Sequence, residues 1–163
     1  MIHNLFLQYF YFYSHFHRCD TLIEYKKPSL TVDIVIFNKK NEFLLVKRKN
    51  EPFKDYWVIP GGFVDYGETT DNAAIREAKE ETGIDITIDK LFGVYSDPNR
   101  DPRGHTITIV YLAIGNIEDA KAGSDAAKAK IHSWNDLSSL ELGFDHKKIL
   151  DDVLNSLSKD KIC

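Results

Sequence analysis

The chain carries only two cysteines in 163 residues, and both stand near its ends, Cys19 and Cys163. That excludes a disulfide framework or a paired-cysteine zinc site, and a reducing, cytoplasmic compartment is the expectation. No apolar run approaches the roughly eighteen residues that a membrane helix requires, so no membrane partner is expected. A secretory leader is not expected either. Met1-Ile2-His3-Asn4 puts no Lys or Arg ahead of an aliphatic stretch, and His17-Arg18-Cys19 is no small-residue cleavage site. Positive charge is not in excess: 21 basic against 25 acidic residues leave a net charge of −4. That argues against nucleic acid as a partner. Internal repeats and low-complexity tracts are lacking.

What is there fits one domain with a full core, at 43% hydrophobic and 28% charged residues. Aromatics crowd the first 27 residues: Phe6, Tyr9, Phe10, Tyr11, Phe12, Tyr13, Phe16 and Tyr25. Composition shifts near Pro28, so residues 1–28 are expected to be an extension and 29–163 the domain proper. His15, His17 and Cys19 alternate as soft ligands but have no fourth partner, which makes a weak metal site. Downstream, Thr31–Phe37 and Glu42–Arg48 are rich in β-branched and apolar residues around the Asn38–Asn41 turn signal, and predict a hairpin. Tyr56–Ile59 runs into the punctuation Pro60-Gly61-Gly62, and Phe63–Tyr66 follows. Spacing then turns helical over Thr70–Glu81, with Thr70 or Asp71 as cap and Gly83 as the left-handed stop. Ile86–Ile88, Leu91–Tyr95, Thr106–Ile114 and Ala129–Trp134 read as strands. His146–Leu157 reads as a closing amphipathic helix with Ile149, Val153, Leu154 and Leu157 on one stripe. This order of elements predicts an α+β sandwich rather than a doubly wound sheet.

The central helix carries the chemistry. At 100° per residue Glu77, Glu80 and Glu81 occupy one flank, while Ala74, Ile75, Ala78 and Thr82 fill the adjacent side. Like charges so spaced repel, and Arg76 and Lys79 do not match every acid, so a cation should compensate. Clustered oxygen ligands suit a hard divalent ion such as Mg²⁺. The alternative is a solvated acidic face laced with Arg and Lys.

The residues ahead of the helix tip that balance. Gly62, five residues, Glu68, seven residues, then Arg76-Glu77-Ala78-Lys79-Glu80-Glu81-Thr82-Gly83-Ile84 resembles the Nudix box, the signature of hydrolases of nucleoside diphosphates linked to another moiety. All seven of its fixed positions match; Ala78 departs, standing where the family pattern has a bulkier aliphatic. The resemblance implies an α/β/α sandwich with a mixed central β-sheet and a loop-helix-loop platform for a diphosphate. It implies that Glu77, Glu80 and Glu81, with Gly62, hold Mg²⁺, for which Mn²⁺ is a substitute, and that Arg76 and Glu68 orient those carboxylates. A divalent ion neutralises the anionic diphosphate and lowers the pKa of a water, which supplies the nucleophile. Its proton needs a base. Many Nudix enzymes keep one on a distant loop, and Asp125 in Ala122-Gly123-Ser124-Asp125-Ala126 is the candidate; it could equally be a turn cap, and Glu80 or Glu81 remain alternatives as base.

Tyr95-Ser96-Asp97-Pro98-Asn99-Arg100-Asp101-Pro102-Arg103-Gly104-His105-Thr106 and Gly143-Phe144-Asp145-His146 resemble segments of the branch containing ADP-ribose pyrophosphatases and their transcription-regulator relatives. What that implies is hydrolysis of ADP-ribose to AMP and ribose 5-phosphate. Arg100 and Arg103 lie on a stiff cationic loop suited to phosphate, and Trp57 or Phe53 could stack on adenine, although either could be core. A triphosphate or oxidised-nucleotide substrate is the first alternative, and a ligand-sensing regulator domain the second. Such regulators append a winged-helix domain, whereas 17 residues follow His146 here, which favours catalysis. Members of this substrate class often pair, so a homodimer is an expectation of the resemblance alone.

Overall fold

A computed structural model describes residues 25–38, 40, 42–123 and 126–160. The aromatic segment up to residue 24, with His15, His17 and Cys19, lies outside those residues, as do Asp125 and Cys163. No helix among the described residues is long and apolar enough to cross a membrane.

The chain runs β1 (Ser29–Phe37), β2 (Glu42–Arg48), β3 (Trp57–Val58), β4 (Gly61–Phe63), α1 (Thr70–Thr82), β5 (Ile86–Tyr95), β6 (Thr106–Gly115), β7 (Ala126–Ser133) and α2 (His146–Asp160), with short 3₁₀ turns at Ile117–Asp119 and Trp134–Ser139. In the mixed sheet the main order is β3-β2-β1-β6-β5, with β4 paired to β1 and β7 to β2. β1 and β6 run parallel over nine registered pairs, from Ser29↔Thr106 to Phe37↔Ile114. Residues 31–36 of β1 are all buried, as a strand covered on both faces should be.

The two faces of β1 separate the core into layers. Val32, Ile34 and Ile36 pack with Ala73, Ala74 and Ala78 of α1. Val35, with Val110 and Leu112 of β6, packs against Ile149, Leu150 and Val153 of α2. Helix, sheet, helix is therefore the layering, as expected of an α+β sandwich. Leu154 and Leu157 extend the predicted stripe of α2 over the same cluster. Ala78 is fully buried, and its small side chain lets α1 lie close to the sheet.

Local details differ from expectation. The β1–β2 hairpin pairs only beside its turn, Phe37↔Phe43, where Asn38 Oδ1 accepts from the amides of Lys40 and Glu42. Beyond the turn β2 diverges to pair with β7 along its whole length. α1 is capped by Thr69, which accepts from Asn72 N–H, rather than by Thr70 or Asp71. Those two side chains are taken by Tyr111 of β6, whose hydroxyl lies 2.7 Å from Thr70 Oγ1 and 2.5 Å from Asp71 Oδ1. Gly83 does close the helix in the left-handed region, at φ 74°. The two strands expected between Ile86 and Tyr95 are one strand, kept in register by irregularities at Ile88/Lys90 and Leu91/Gly93.

Ile149, with no exposed surface, is a sensitive handle on the α2 layer. Ile149→Ala is expected to destabilise by about 2–5 kcal/mol, the range for truncating a fully buried aliphatic, whereas Thr69→Ala should cost about 1 kcal/mol through its lost cap. Denaturant unfolding of the two variants checks the ranking.

Candidate functional site

Three short segments meet where the sheet opens. β4 lies antiparallel to β1, with Gly62 opposite Val32 and Gly61 opposite Asp33. α1 crosses above β4, and the loop before β6 closes the far side. Between them is a cavity of about 300 Å³, lined among others by Asp33, Arg48, Gly62, Glu77, Glu81 and Arg103.

Arg76 organises the helical wall. Its Nε and Nη2 donate to both oxygens of Glu68 at 3.0 and 2.9 Å. Nη2 also donates to the Phe63 carbonyl at 3.0 Å, and Nη1 to Glu77 Oε1 at 2.7 Å. One guanidinium thus joins the loop, β4 and the helix, and Arg76 holds Glu68 below the ordinary carboxylate range. Lys79 turns away to Asp85.

The three acids of α1 divide. Glu77 and Glu81 line the cavity, whereas Glu80 does not; the Glu80 side chain is 57% exposed and leans 3.4 Å from Arg76 Nη1, against 14% exposure for Glu77. Burial raises the carboxyl of Glu77 despite Arg76. Glu81 is pushed up to about 7 by burial, opposed by the Gly61 N–H that donates to its Oε2 at 3.1 Å. Gly62 has a steric reason to be glycine: a Cβ there would overlap the Glu77 carboxylate.

No group of three or more Asp, Glu, His or Cys among the described residues is already gathered as a cation cage. Two carboxylates, held in a half-buried cleft at the cost of raised pKa values, do form a hard-oxygen donor set. Glu77 and Glu81 therefore fit a divalent ion that would bind them jointly with anionic substrate oxygens.

The opposite wall holds the two arginines expected to meet phosphate, Arg100 and Arg103. Arg100 lines the cavity, but its guanidinium is committed to protein, with Nε and Nη2 on Asp145 at 3.0 and 2.7 Å and Nη2 3.4 Å from Asp33. Its side chain is 4% exposed, so the expectation that Arg100 reads substrate meets a residue already engaged in anchoring the loop to α2. Arg103 is more open, with Nε and Nη2 held by Asp101. Trp57 is not among the cavity's lining residues: it stands edge-on to His132, with Lys47 Nζ 5.9 Å from its ring centroid. Phe53 packs on Phe144 and Tyr56.

Asp33, Arg48, Phe63 and His146 belong to the site without having been assigned to it from sequence. Asp33 had left a signal, an acid inside a β-branched run. His146 Nδ1 accepts from Ile59 N–H at 2.9 Å, which leaves the proton on Nε2, 3.7 Å from Asp33 Oδ1. Burial holds that imidazole below its usual pKa and keeps it neutral.

Comparison with known proteins agrees with this geometry. Residues 27–153 match the NUDIX domain, and the chain belongs to the Nudix hydrolase family, whose members generally use a divalent metal. It is 48% identical over 132 residues to the ADP-ribose pyrophosphatase of Methanocaldococcus jannaschii, covering 80% of this chain and 75% of that protein. It is 35% identical over 144 residues to the ADPR responsive transcriptional repressor NtrR of Acinetobacter baylyi, covering 83% of this chain but 56% of that relative. Among solved structures, the NUDIX domain of Shewanella oneidensis NrtR complexed with ADP ribose superposes with a TM-score of 0.74 at 26% identity, covering 89% of this chain and 97% of that one.

The buried carboxyl of Glu81 makes a pH signature. Between the ordinary value of 4.5 and about 7 the folded protein keeps a proton that the unfolded chain has released, so stability falls as pH rises through that window. Without divalent ions, the melting temperature of the wild type relative to Glu81→Gln should decline from pH 5 to pH 8. A difference that is flat with pH would remove Glu81 as its source.

Proposed function

We propose that this Nudix hydrolase is an Mg²⁺-dependent ADP-ribose pyrophosphatase, releasing AMP and ribose 5-phosphate. The observation that carries the reading is the meeting of the Glu77–Glu81 carboxylate pair with the loop containing Arg100 and Arg103 across one cavity. The 48% identity to an ADP-ribose pyrophosphatase supports it.

Glu77 and Glu81 would hold the ion, with Arg76 fixing Glu77 and Gly61 N–H fixing Glu81. The ion, when bound, neutralises diphosphate oxygens and acidifies a water. In the hydrolysis a water oxygen adds to one phosphorus, the phosphoric anhydride bond breaks, and the departing phosphate takes the electron pair. Nη1 of Arg103, the nitrogen not engaged by Asp101, is available to a phosphate oxygen. Asp125 is the proposed acceptor of the water's proton. In support, Gly123, two residues earlier, donates its N–H to the Glu81 carbonyl at 2.8 Å, which ties that loop to the last turn of α1.

Hydrolysis is expected to stop on chelation and to return with Mg²⁺. Glu81→Gln should lower kcat by about 10²-fold or more, as for loss of one preorganised electrostatic contact. In a substrate panel, kcat/KM should be higher for ADP-ribose than for nucleoside triphosphates or oxidised guanine nucleotides. Tight binding of ADP-ribose without turnover would instead favour a sensing domain, and better turnover of a triphosphate would replace the substrate.

Asp125→Asn is expected to depress kcat more than it raises KM, since a base acts in the transition state. Loss of thermal stability alone would make Asp125 a turn cap.

A further inference from the structure

The rim of the cavity is an alternating stack of cations and rings. The Arg103 guanidinium lies 5.5 Å from the Phe63 ring centroid and 5.4 Å from that of Phe144. Arg48 lies 5.1 Å from Phe144. Asp101, itself 4% exposed, accepts from Nε and Nη2 of Arg103 and fixes the plane of that guanidinium.

The two phenylalanines are not equivalent. Phe144 is held at φ 56°, and besides its two guanidinium neighbours it meets Phe53 at 4.8 Å and His146 at 5.4 Å. Its ring is surrounded. The Phe63 ring has Arg103 as its one cation or ring neighbour among the described residues, and the residue is 48% exposed while lining the cavity. Phe63 therefore keeps an open face. It also stands in the right place along the chain, since it follows Gly62, where an added Cβ would overlap the Glu77 carboxylate.

We infer that Phe63 is the base-stacking residue of the site: the substrate's nucleobase lies on its open face while Arg103 backs the other. This rests on the nucleotide reading above and adds the residue that reads the base. A purine offers a flat, polarisable surface, and a ring backed by a cation is held in one orientation, so little ordering is left to binding. Stacking on one aromatic face distinguishes base-bearing from baseless diphosphates without choosing strongly among bases.

Phe63→Leu keeps apolar bulk and removes the π-face, and Phe63→Trp enlarges it. With the full chain and Mg²⁺, AMP and inorganic pyrophosphate serve as binding probes by calorimetry, alongside KM and kcat for ADP-ribose. Phe63→Leu should weaken AMP and raise KM by roughly five- to a hundredfold, the range for loss of one base–aromatic stack. Pyrophosphate binding and kcat should stay within about twofold, and Phe63→Trp should restore or tighten AMP. Equal weakening of AMP and pyrophosphate, or no change for AMP, would overturn the inference. The substrate assignment is judged separately. If the wild type fails to hydrolyse ADP-ribose but Phe63→Leu still loses AMP selectively, the stack stands and the substrate falls; if ADP-ribose is hydrolysed and AMP is indifferent to Phe63, the reverse holds.

Discussion

Two carboxylates have to be kept out of bulk water beside a peptide backbone, and most of the architecture answers that demand. Glu77 and Glu81 face Gly61 and Gly62 only because α1 lies close to the sheet, and it lies close because its buried face is alanine, at Ala73, Ala74 and Ala78. Desolvation raises both carboxyls. A divalent ion bound to both carboxylates would offset that cost of desolvation, and it would do so together with an anionic substrate.

Arg76 and Arg100 do parallel work on opposite walls. Arg76 ties the loop, β4 and α1 through Glu68, the Phe63 carbonyl and Glu77. Arg100 ties the loop before β6 to α2 through Asp145 and reaches β1 at Asp33. Both are multidentate, and both spend their hydrogen bonds on protein, so their contribution is placement. His146 links the walls from below, since the amide of Ile59 donates to it just ahead of Pro60-Gly61-Gly62. Substrate-facing roles then fall to side chains that this framework leaves accessible, Arg103 and Phe63.

Some of this was legible in one dimension. The spacing from Gly62 to Gly83 fixes a loop, a helix and the acids on its flank, because a helical period and a box of matched residues are local properties. The α+β class was equally readable, from the β-branched runs and the stripe on α2, whereas the helix-sheet-helix layering came from the family resemblance. Thr69 as cap was not readable, since Thr70 and Asp71 are equally good caps in isolation, and Tyr111, forty-odd residues away in sequence, is what occupies them.

Residue type also could not say which members of a set would face the cavity. Glu77, Glu80 and Glu81 are alike in sequence, yet β4 buries two of them and Arg76 draws the third toward solvent. Arg100 and Arg103 are alike on their loop, yet Asp145 and Asp33 claim the first. Trp57 and Phe53 were the rings that sequence offered for stacking, yet the pairing of β2 with β7 brings His132 against Trp57 and Phe144 packs on Phe53, while Phe63, which sequence did not single out, stays at the rim. In each case the partner that decides comes from a strand or helix distant in sequence. The local pattern set which chemical groups the site has, and the crossing of β1, β4, α1 and α2 set which of those groups are free, because burial and hydrogen-bond occupancy are properties of neighbours in space.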